Sequence, residues 1–245
     1  MDIGAFCSRL GHHQERLSDA RASVANPIDW YLYDTLANAT HIDSMLSNGN
    51  RDLEQLAGGL PVADIGAADG DLAFALEAEL GWELDIVDNA PTNRNGLRGA
   101  RALAEVLGSR VQIHDIDLDR QFRLPRETYG LVLLLGILYH LQNPYYALRQ
   151  LARQARYCLL STRVARFAGP ERTPVGHLPV GYLVAPHETN NDPTNYWIFT
   201  PVGLERLVSR TGWEVLDQLN VGNTAASDPA TAEGDERMFQ LLRSG

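Results

Sequence analysis

Apolar positions along this 245-residue chain fall into short blocks with two spacings. Runs of four to eight continuous or alternating apolar residues mark strands, and apolar residues three and four apart mark helices. The first strong block, Pro61-Val62-Ala63-Asp64-Ile65, reads as a strand ending at Asp64 or Ile65. A turn follows at Gly66-Ala67-Ala68-Asp69-Gly70, and Leu72, Phe74, Ala75 and Leu76 open a helix that breaks at Gly81. Trp82 to Asp88 alternates as a second strand, Asn95 to Leu107 reads as a helix, and Val111-Gln112-Ile113 is a short third strand. Tyr129 to Leu135 suits a strand buried on both faces. Asn143-Pro144 starts a helix that runs to about Arg156, and Tyr157 to Thr162 is a fifth strand. Thr200-Pro201 starts the last helix, which Gly212 ends. Trp213 to Leu219 and Arg237 to Leu242 are the closing strands, and the polar, acidic stretch 221–236 reads as a mobile loop. Strands alternating with helices predict an α/β, doubly wound, Rossmann-like sheet.

Two stretches lie outside that alternation. Residues 1–60 read as an N-terminal helical cap ahead of a domain spanning 61–245. Asn26-Pro27 predicts a helix start, with Ile28, Leu32, Leu36, Ile42, Met45 and Leu46 on its apolar face and Gly49 as its stop. Either this helix simply packs on the core, or Trp30, Tyr31 and Tyr33 form a lid whose aromatic faces would attract a cation. His12-His13 reads as a solvated pair. Residues 165–199 read as a long irregular insertion with five prolines, together with His177, Tyr182, His187, Asn195, Tyr196 and Trp197. A loop of that length in a compact domain is either functional or a stiffened surface loop. As a functional loop it would supply an apolar floor and directional hydrogen bonds for a substrate.

Charge narrows the partners. The net charge is −10 and no basic run occurs, so nucleic acid is disfavoured. The longest near-continuous apolar run, Leu131 to Leu138, is far too short to cross a membrane. Cys7 and Cys158 are far apart and have no metal-type spacing, and no acid cluster beside the fourth strand suggests a metal. Met1-Asp2-Ile3-Gly4 lacks the regions of a signal peptide, which points to a cytoplasmic protein.

The turn after the first strand is where the chemistry concentrates. Gly66 and Gly70 permit a tight turn and close approach of a ligand to the backbone. The dinucleotide pattern G-x-G-x-x-G is only partly met, because Ala68 and Asp71 replace its second and third glycines. Asp69 and Asp71 at the start of the helix would repel a pyrophosphate. A cofactor carrying an ammonium and a sulfonium but no phosphate, such as S-adenosylmethionine (SAM), meets no such repulsion. Asp88, 22 residues after Gly66, is placed to accept hydrogen bonds from ribose hydroxyls or to cap the next helix. His140, just past the fourth strand, has a reference pKa near 6.5 that suits a general base, or it caps the next helix.

Asp64-x-Gly66-x-Ala68-x-Gly70 resembles the first motif of the class I SAM-dependent methyltransferases, with Ala68 in place of the middle glycine. The string Gly136-Ile137-Leu138-Tyr139-His140 with Pro144 is similar to the branch related to the tRNA wobble-uridine carboxymethyl-transfer enzymes. Members of that branch use a carboxylated SAM and need cations for its extra carboxylate; none can be placed here from sequence. The resemblance covers about residues 60–245 and implies a seven-stranded sheet whose last strand is antiparallel. It assigns cofactor binding to Asp64, Gly66, Ala67, Ala68, Asp69 and Gly70, and to Leu135 and Gly136. It puts Asp88 at the ribose, Asn89 near the adenine, and Asp115 with Ile116 around the adenine, with Asp117 the competitor for the acid's place. Trp30, Tyr31, Tyr139, His177, His187, Asn195, Tyr196 and Trp197 are the candidates for the substrate side. The implied reaction is in-line transfer of a methyl group to a small-molecule oxygen, nitrogen or carbon, with His140 as base. The competing readings are a nicotinamide oxidoreductase, a non-catalytic SAM-binding or interaction module, and a tRNA-modifying enzyme.

Overall fold

Apolar blocks buried on both faces become strands, and the helices between them stop where glycine allows a left-handed cap. The computed structural model describes residues 3–245; Met1 and Asp2 of the leader reading lie outside the described residues. Four helices come first: α1 (Ile3–Cys7), α2 (Leu10–Ser23), α3 (Asn38–Asn48) and α4 (Leu53–Ala57). The alternating part is β1 (Val62–Ile65), α5 (Asp71–Leu80), β2 (Leu84–Asp88), α6 (Arg98–Leu107), β3 (Gln112–Asp115), β4 (Tyr129–Leu135), α7 (Pro144–Leu151) and β5 (Ala155–Val164). Then come β6 (Phe167–Ala168), β7 (Thr173–Pro174), β8 (Gly181–Leu183), β9 (Trp197–Phe199), α8 (Pro201–Arg210), β10 (Trp213–Gly222) and β11 (Glu236–Ser244). The chain divides into two compact units. The first runs to Asp117 and adds Leu124–Leu133; the second holds Leu118–Arg123 and Leu134–Gly245.

In the first unit, β4, β1, β2 and β3 lie side by side in that order, all parallel. The chain leaves β1 for β2 on one side and returns as β4 on the other. The switch point of a doubly wound sheet therefore lies at the carboxyl end of β1, where such folds bind ligands. Gly81 and Gly108 cap α5 and α6 in the left-handed conformation. Strand β4 opens with Tyr129-Gly130. Tyr129 is fully buried and its hydroxyl donates to Asp85 at 2.6 Å, while a Cβ at Gly130 would lie 1.9 Å from the Ala57 carbonyl oxygen.

The N-terminal reading needs correction. Asn26-Pro27 starts no helix: residues 24–34 are irregular, and helix resumes as a 3₁₀ turn at Thr35–Ala37 capped by Asp34. The run Ile28-Asp29-Trp30-Tyr31-Leu32-Tyr33 is poor in strong helix formers, and its backbone is pinned elsewhere: the Tyr31 N–H donates to Asp69. Leu32, expected on an apolar face, is 73% exposed. His13, expected in solvent, is buried on α2 with Nε2 2.9 Å from Glu79.

In the second unit, β11 runs antiparallel between β5 and β10, as the resemblance implies. The 165–199 segment is only partly irregular. It holds the β6–β7 hairpin and the antiparallel pair β8–β9, and β9 joins β5 in parallel register. Among the described residues the main path of the sheet has the seven strands expected, and β8 and β9 add two more beside it. The 221–236 stretch is not a free loop either. Residues up to Gly222 continue β10, Ser227 is fully buried, and its carbonyl accepts from Arg166 and Phe167. Asn143 caps α7 by accepting from Tyr146, and Thr200 caps α8 by accepting from Gly203. Helix α7 ends at Leu151, short of Arg156, because Ala155 already belongs to β5. No helix among the described residues is long and apolar enough to cross a membrane.

Candidate active site

In the turn after β1, Gly66, Ala68 and Gly70 all take positive φ, at 68°, 55° and 86°. A Cβ at Gly70 would lie 2.5 Å from Ile86 Cδ1 and 2.8 Å from Phe74 Cε2, so only glycine fits. Ala68 pays roughly 1–2 kcal/mol for the left-handed conformation. In return its N–H donates to Asp88 Oδ2 at 3.1 Å, which ties the turn to the end of β2.

Four carboxylates surround this turn, and they are satisfied differently. Asp88 also accepts from Asn89 N at 2.7 Å and Asn93 Nδ2 at 3.0 Å; burial nonetheless raises its pKa. Asp69 is 2% exposed and accepts from Tyr31 N and from Asn95 Nδ2, each at 2.7 Å. Asp71 takes Arg21 Nη2 at 2.6 Å on both oxygens. Asp64 is buried, and no donor among the described residues reaches its carboxyl. Burial raises its pKa to about 7, with Asp88 and Asp71 adding to the effect. The sequence argument against a pyrophosphate therefore shifts its ground. Arg21 neutralises Asp71, whereas Asp69 and Asp88 accept only from uncharged N–H groups and keep their charge, so Asp69 and Asp88, with Asp64, carry the negative field.

The segment holding Trp30 and Tyr31 is tied across this turn. Besides Tyr31 N on Asp69, the Asp29 carbonyl accepts from Asn95 Nδ2 at 3.2 Å and the Arg21 guanidinium lies 5.4 Å over the Trp30 ring. Arg21, Tyr31, Tyr33 and Asp71 help line a cleft of about 210 Å³. Asp115 stands opposite Asp88 in the β2–β3 register and accepts from Ala90 N at 2.9 Å. Ile116, next in the chain, is half-buried and donates its N–H to the Asp88 carbonyl at 2.9 Å. Asn89 is half-buried beside them.

The second unit groups most of the other candidates. Leu135 is half-buried; Gly136 takes φ 75° and donates to the Ser161 carbonyl at 2.9 Å. A 3₁₀ turn, Leu138–His140, follows. His140 Nδ1 lies 2.9 Å from Thr194 Oγ1 and 3.2 Å from the Thr194 carbonyl oxygen. The Thr194 hydroxyl gives its proton to Asp192 Oδ1 at 2.6 Å. Both Thr194 oxygens are then acceptors toward His140, which assigns the proton to Nδ1 and the lone pair to Nε2. Burial lowers the His140 pKa; Asp192 opposes and Arg237 reinforces that shift. The Tyr139 ring lies 4.4 Å from the His140 ring. Tyr196 N donates to the Tyr139 carbonyl at 2.8 Å, Gln142 donates to the Tyr196 hydroxyl at 3.1 Å, and Trp197 Nε1 donates to the Gln142 carbonyl at 3.2 Å. Asn195 is buried and spends its amide on the Thr189 and Asp192 carbonyls, which leaves it a scaffold. His177 and His187 are exposed, and neither side chain is hydrogen-bonded to this group.

Sequence reasoning missed Arg21, Asn93 and Asn95, which donate to Asp71, Asp88 and Asp69.

A family profile described as a methyltransferase domain matches residues 24–218. No curated protein matches the chain in sequence. Among solved structures, the N-terminal domain of EvdMO1 with SAH bound is 16% identical, covers 95% of this chain and 96% of its own, and superposes with a TM-score of 0.59. The [4+2]-cyclase SpnF is 16% identical over 94% of this chain and 92% of its own, with a TM-score of 0.60. A putative methyltransferase from Bacillus halodurans C-125 is 17% identical over 78% of this chain and 96% of its own, with a TM-score of 0.57. At these identities the likeness is one of fold.

Proposed function

The chain belongs to the methyltransferase-domain family, and on that premise we propose that it moves a methyl group from SAM to a small-molecule nucleophile. One observation carries the choice of cofactor: the buried Asp64 carboxyl beneath the glycine turn has no donor of its own among the described residues. An ammonium group satisfies such a carboxyl, whereas a pyrophosphate would meet both Asp64 and Asp88. The residues present thus fit SAM, and the SAH held by the EvdMO1 domain supports the same reading.

Asp64 would hold the ammonium, with Gly66, Ala67, Ala68, Asp69 and Gly70 shaping the turn around it. Asp88 would take the ribose hydroxyls, with Asn89 and Ile116 beside the adenine and Leu135 and Gly136 carried over from the resemblance. The β2–β3 register favours Asp115 over Asp117 for the adenine amine, since Asp115 stands directly opposite Asp88. When bound, SAM supplies a methyl group made electrophilic by its sulfonium, which passes in line to the nucleophile and leaves the bonding pair on sulfur as SAH. The chain's own part is to position and to move one proton. An oriented near-attack geometry is worth roughly 7–11 kcal/mol. His140, neutral at pH 7 with Nδ1–H held by Thr194, accepts the nucleophile's proton at Nε2. Tyr139, Tyr196 and Trp197 wall the acceptor side, and Trp30 and Tyr31 serve as the lid over the turn. The net charge of −10 favours a small acceptor over tRNA.

SpnF, a cyclase on this fold, makes binding and transfer separate questions. Calorimetric titration with SAM, SAH and NAD in parallel answers the first. Micromolar binding of SAM and SAH without NAD is expected. Binding of NAD alone, or of none of the three, sinks the proposal.

A further inference from the structure

Arg163, near the end of β5, stands directly opposite Arg237, near the start of β11. In an antiparallel pair both side chains leave the same face with Cβ atoms about 5 Å apart, and like charges so placed repel. Asp235 pairs with both and is divided between them: Oδ1 lies 3.5 Å from Arg163 Nε, and Oδ2 lies 3.5 Å from Arg237 Nε. Charge-assisted bonds are normally about 2.7–2.9 Å. The neighbouring Arg166 shows what full pairing looks like here, with three bonds of 2.7–3.1 Å to Glu236.

Arg163 is 3% exposed. Its Nη2 donates to the carbonyls of Asp228 and Thr231, while Nε and Nη1 are buried without a hydrogen-bond partner among the described residues. Arg237 is 36% exposed, and its guanidinium lies 5.9 Å from the centre of the Tyr139 ring. A Cβ built on Gly136 would be 3.6 Å from Arg237 Nη1 and 3.5 Å from the Tyr139 hydroxyl, so both donors reach the glycine that follows β4. Asp228 also attracts Arg163 but is paired with Arg172 at 3.5 Å, so Arg163 and Arg237 have Asp235 between them, an excess of one positive charge in a chain whose net charge is −10. A monoanion cancels that excess, whereas a phosphate dianion would overshoot it and face Asp235.

We propose that Arg237 and Tyr139 hold a carboxylate of the methyl acceptor, with Arg163 as a positioning charge beneath them, so that the substrate is a small carboxylic acid. The assignment rests on the methyl-transfer reading. With the His140 ring 4.4 Å from Tyr139, a compact acid anchored on Arg237 brings its own nucleophile beside the base.

The test titrates acetate, malonate and benzoate into SAH-saturated protein by calorimetry, with sodium chloride and phosphate at matched ionic strength. It is repeated on Arg237→Met, Arg237→Lys and Tyr139→Phe, each checked for folding by circular dichroism. At least one carboxylate should bind, at least 10-fold more weakly in Arg237→Met and to an intermediate degree in Arg237→Lys. Under turnover, hydroxy- and amino-carboxylates should be methylated and their carboxamides should not, with Arg237→Met raising KM more than it lowers kcat. Absence of binding by all three carboxylates, equal binding by Arg237→Met, or tighter binding of phosphate overturns the proposal. So does a preference for SAM carboxylated on its methyl carbon over SAM that is lost in Arg237→Met, because the pair would then serve the cofactor. If SAM and SAH themselves fail to bind, the methyl-transfer reading falls, and the carboxylate titration still reads Arg237 in the unliganded protein.

Discussion

Two regions of this molecule crowd like charges together and treat them differently. After β1, Asp64, Asp69, Asp71 and Asp88 surround one turn, and the fold finds donors for three: backbone and asparagine N–H groups for Asp69 and Asp88, and Arg21 for Asp71. Only Asp64 is left with none among the described residues. In the second unit Arg163 and Arg237 share one carboxylate at arm's length, and two Arg163 nitrogens have no hydrogen-bond acceptor among the described residues. A buried polar group left unpaired costs about 1–3 kcal/mol, more when it is charged. Folds keep such groups where a ligand completes them. The acidic region reads as completed by a cation, the basic one by an anion.

The largest expected effect lies in the second unit. His140→Ala should lower turnover by roughly 10²- to 10⁴-fold while leaving SAM affinity nearly unchanged. In the wild type, turnover should fall on the acid side with a midpoint below 6.5, because burial lowers the His140 pKa. Steady-state kinetics from pH 5 to 9 measure both, and unchanged turnover in the variant removes His140 from the base role.

Asp64 comes next. Its folded pKa of about 7 lies above the ordinary 3.8, so the folded state holds this proton more tightly than the unfolded state does. The stability it lends is complete below the unfolded pKa and is lost as pH rises through about 7, by up to about 4 kcal/mol. Urea melts of ligand-free protein at pH 5 and pH 8 should show that loss in the wild type and not in Asp64→Asn. The same substitution should weaken SAM about 10- to 100-fold, the worth of one hydrogen bond to a charged group. Identical pH dependence in both proteins would mean that another donor already satisfies Asp64.

The smallest effect tests the turn itself. Ala68→Gly removes the Cβ from a left-handed position and should stabilise the protein by about 1 kcal/mol, read as a rise in melting midpoint. A drop would show that the Ala68 side chain contributes packing that outweighs its strain.

The strand–turn–helix around Gly66 was legible because its determinants lie within a dozen consecutive residues: an apolar run, two glycines and an apolar helix face. The stop at Gly81 and the caps at Asn143 and Thr200 were local in the same way. The Asn26-Pro27 helix failed although its cap signal was sound, because the run after it is poor in strong helix formers. Asp69, distant in sequence, offered the Tyr31 N–H a partner that a helix could not match there. The 165–199 segment became part strand because β5 had an edge to pair with, which no residue inside the segment announces.

What the sequence determined alone was therefore whatever short-range sterics and burial decide: the alternation of strands and helices, the glycine turn after β1, Asp88 at the end of β2 and His140 just past β4. Tertiary structure decided how each charge is used. Arg21 reaches Asp71 across 50 residues, Thr194 sets the His140 tautomer across 54, and antiparallel pairing of β5 with β11 brings Arg163 and Arg237 together. Electrostatic partnership depends on distance in space, and chain order constrains that distance only over a few residues.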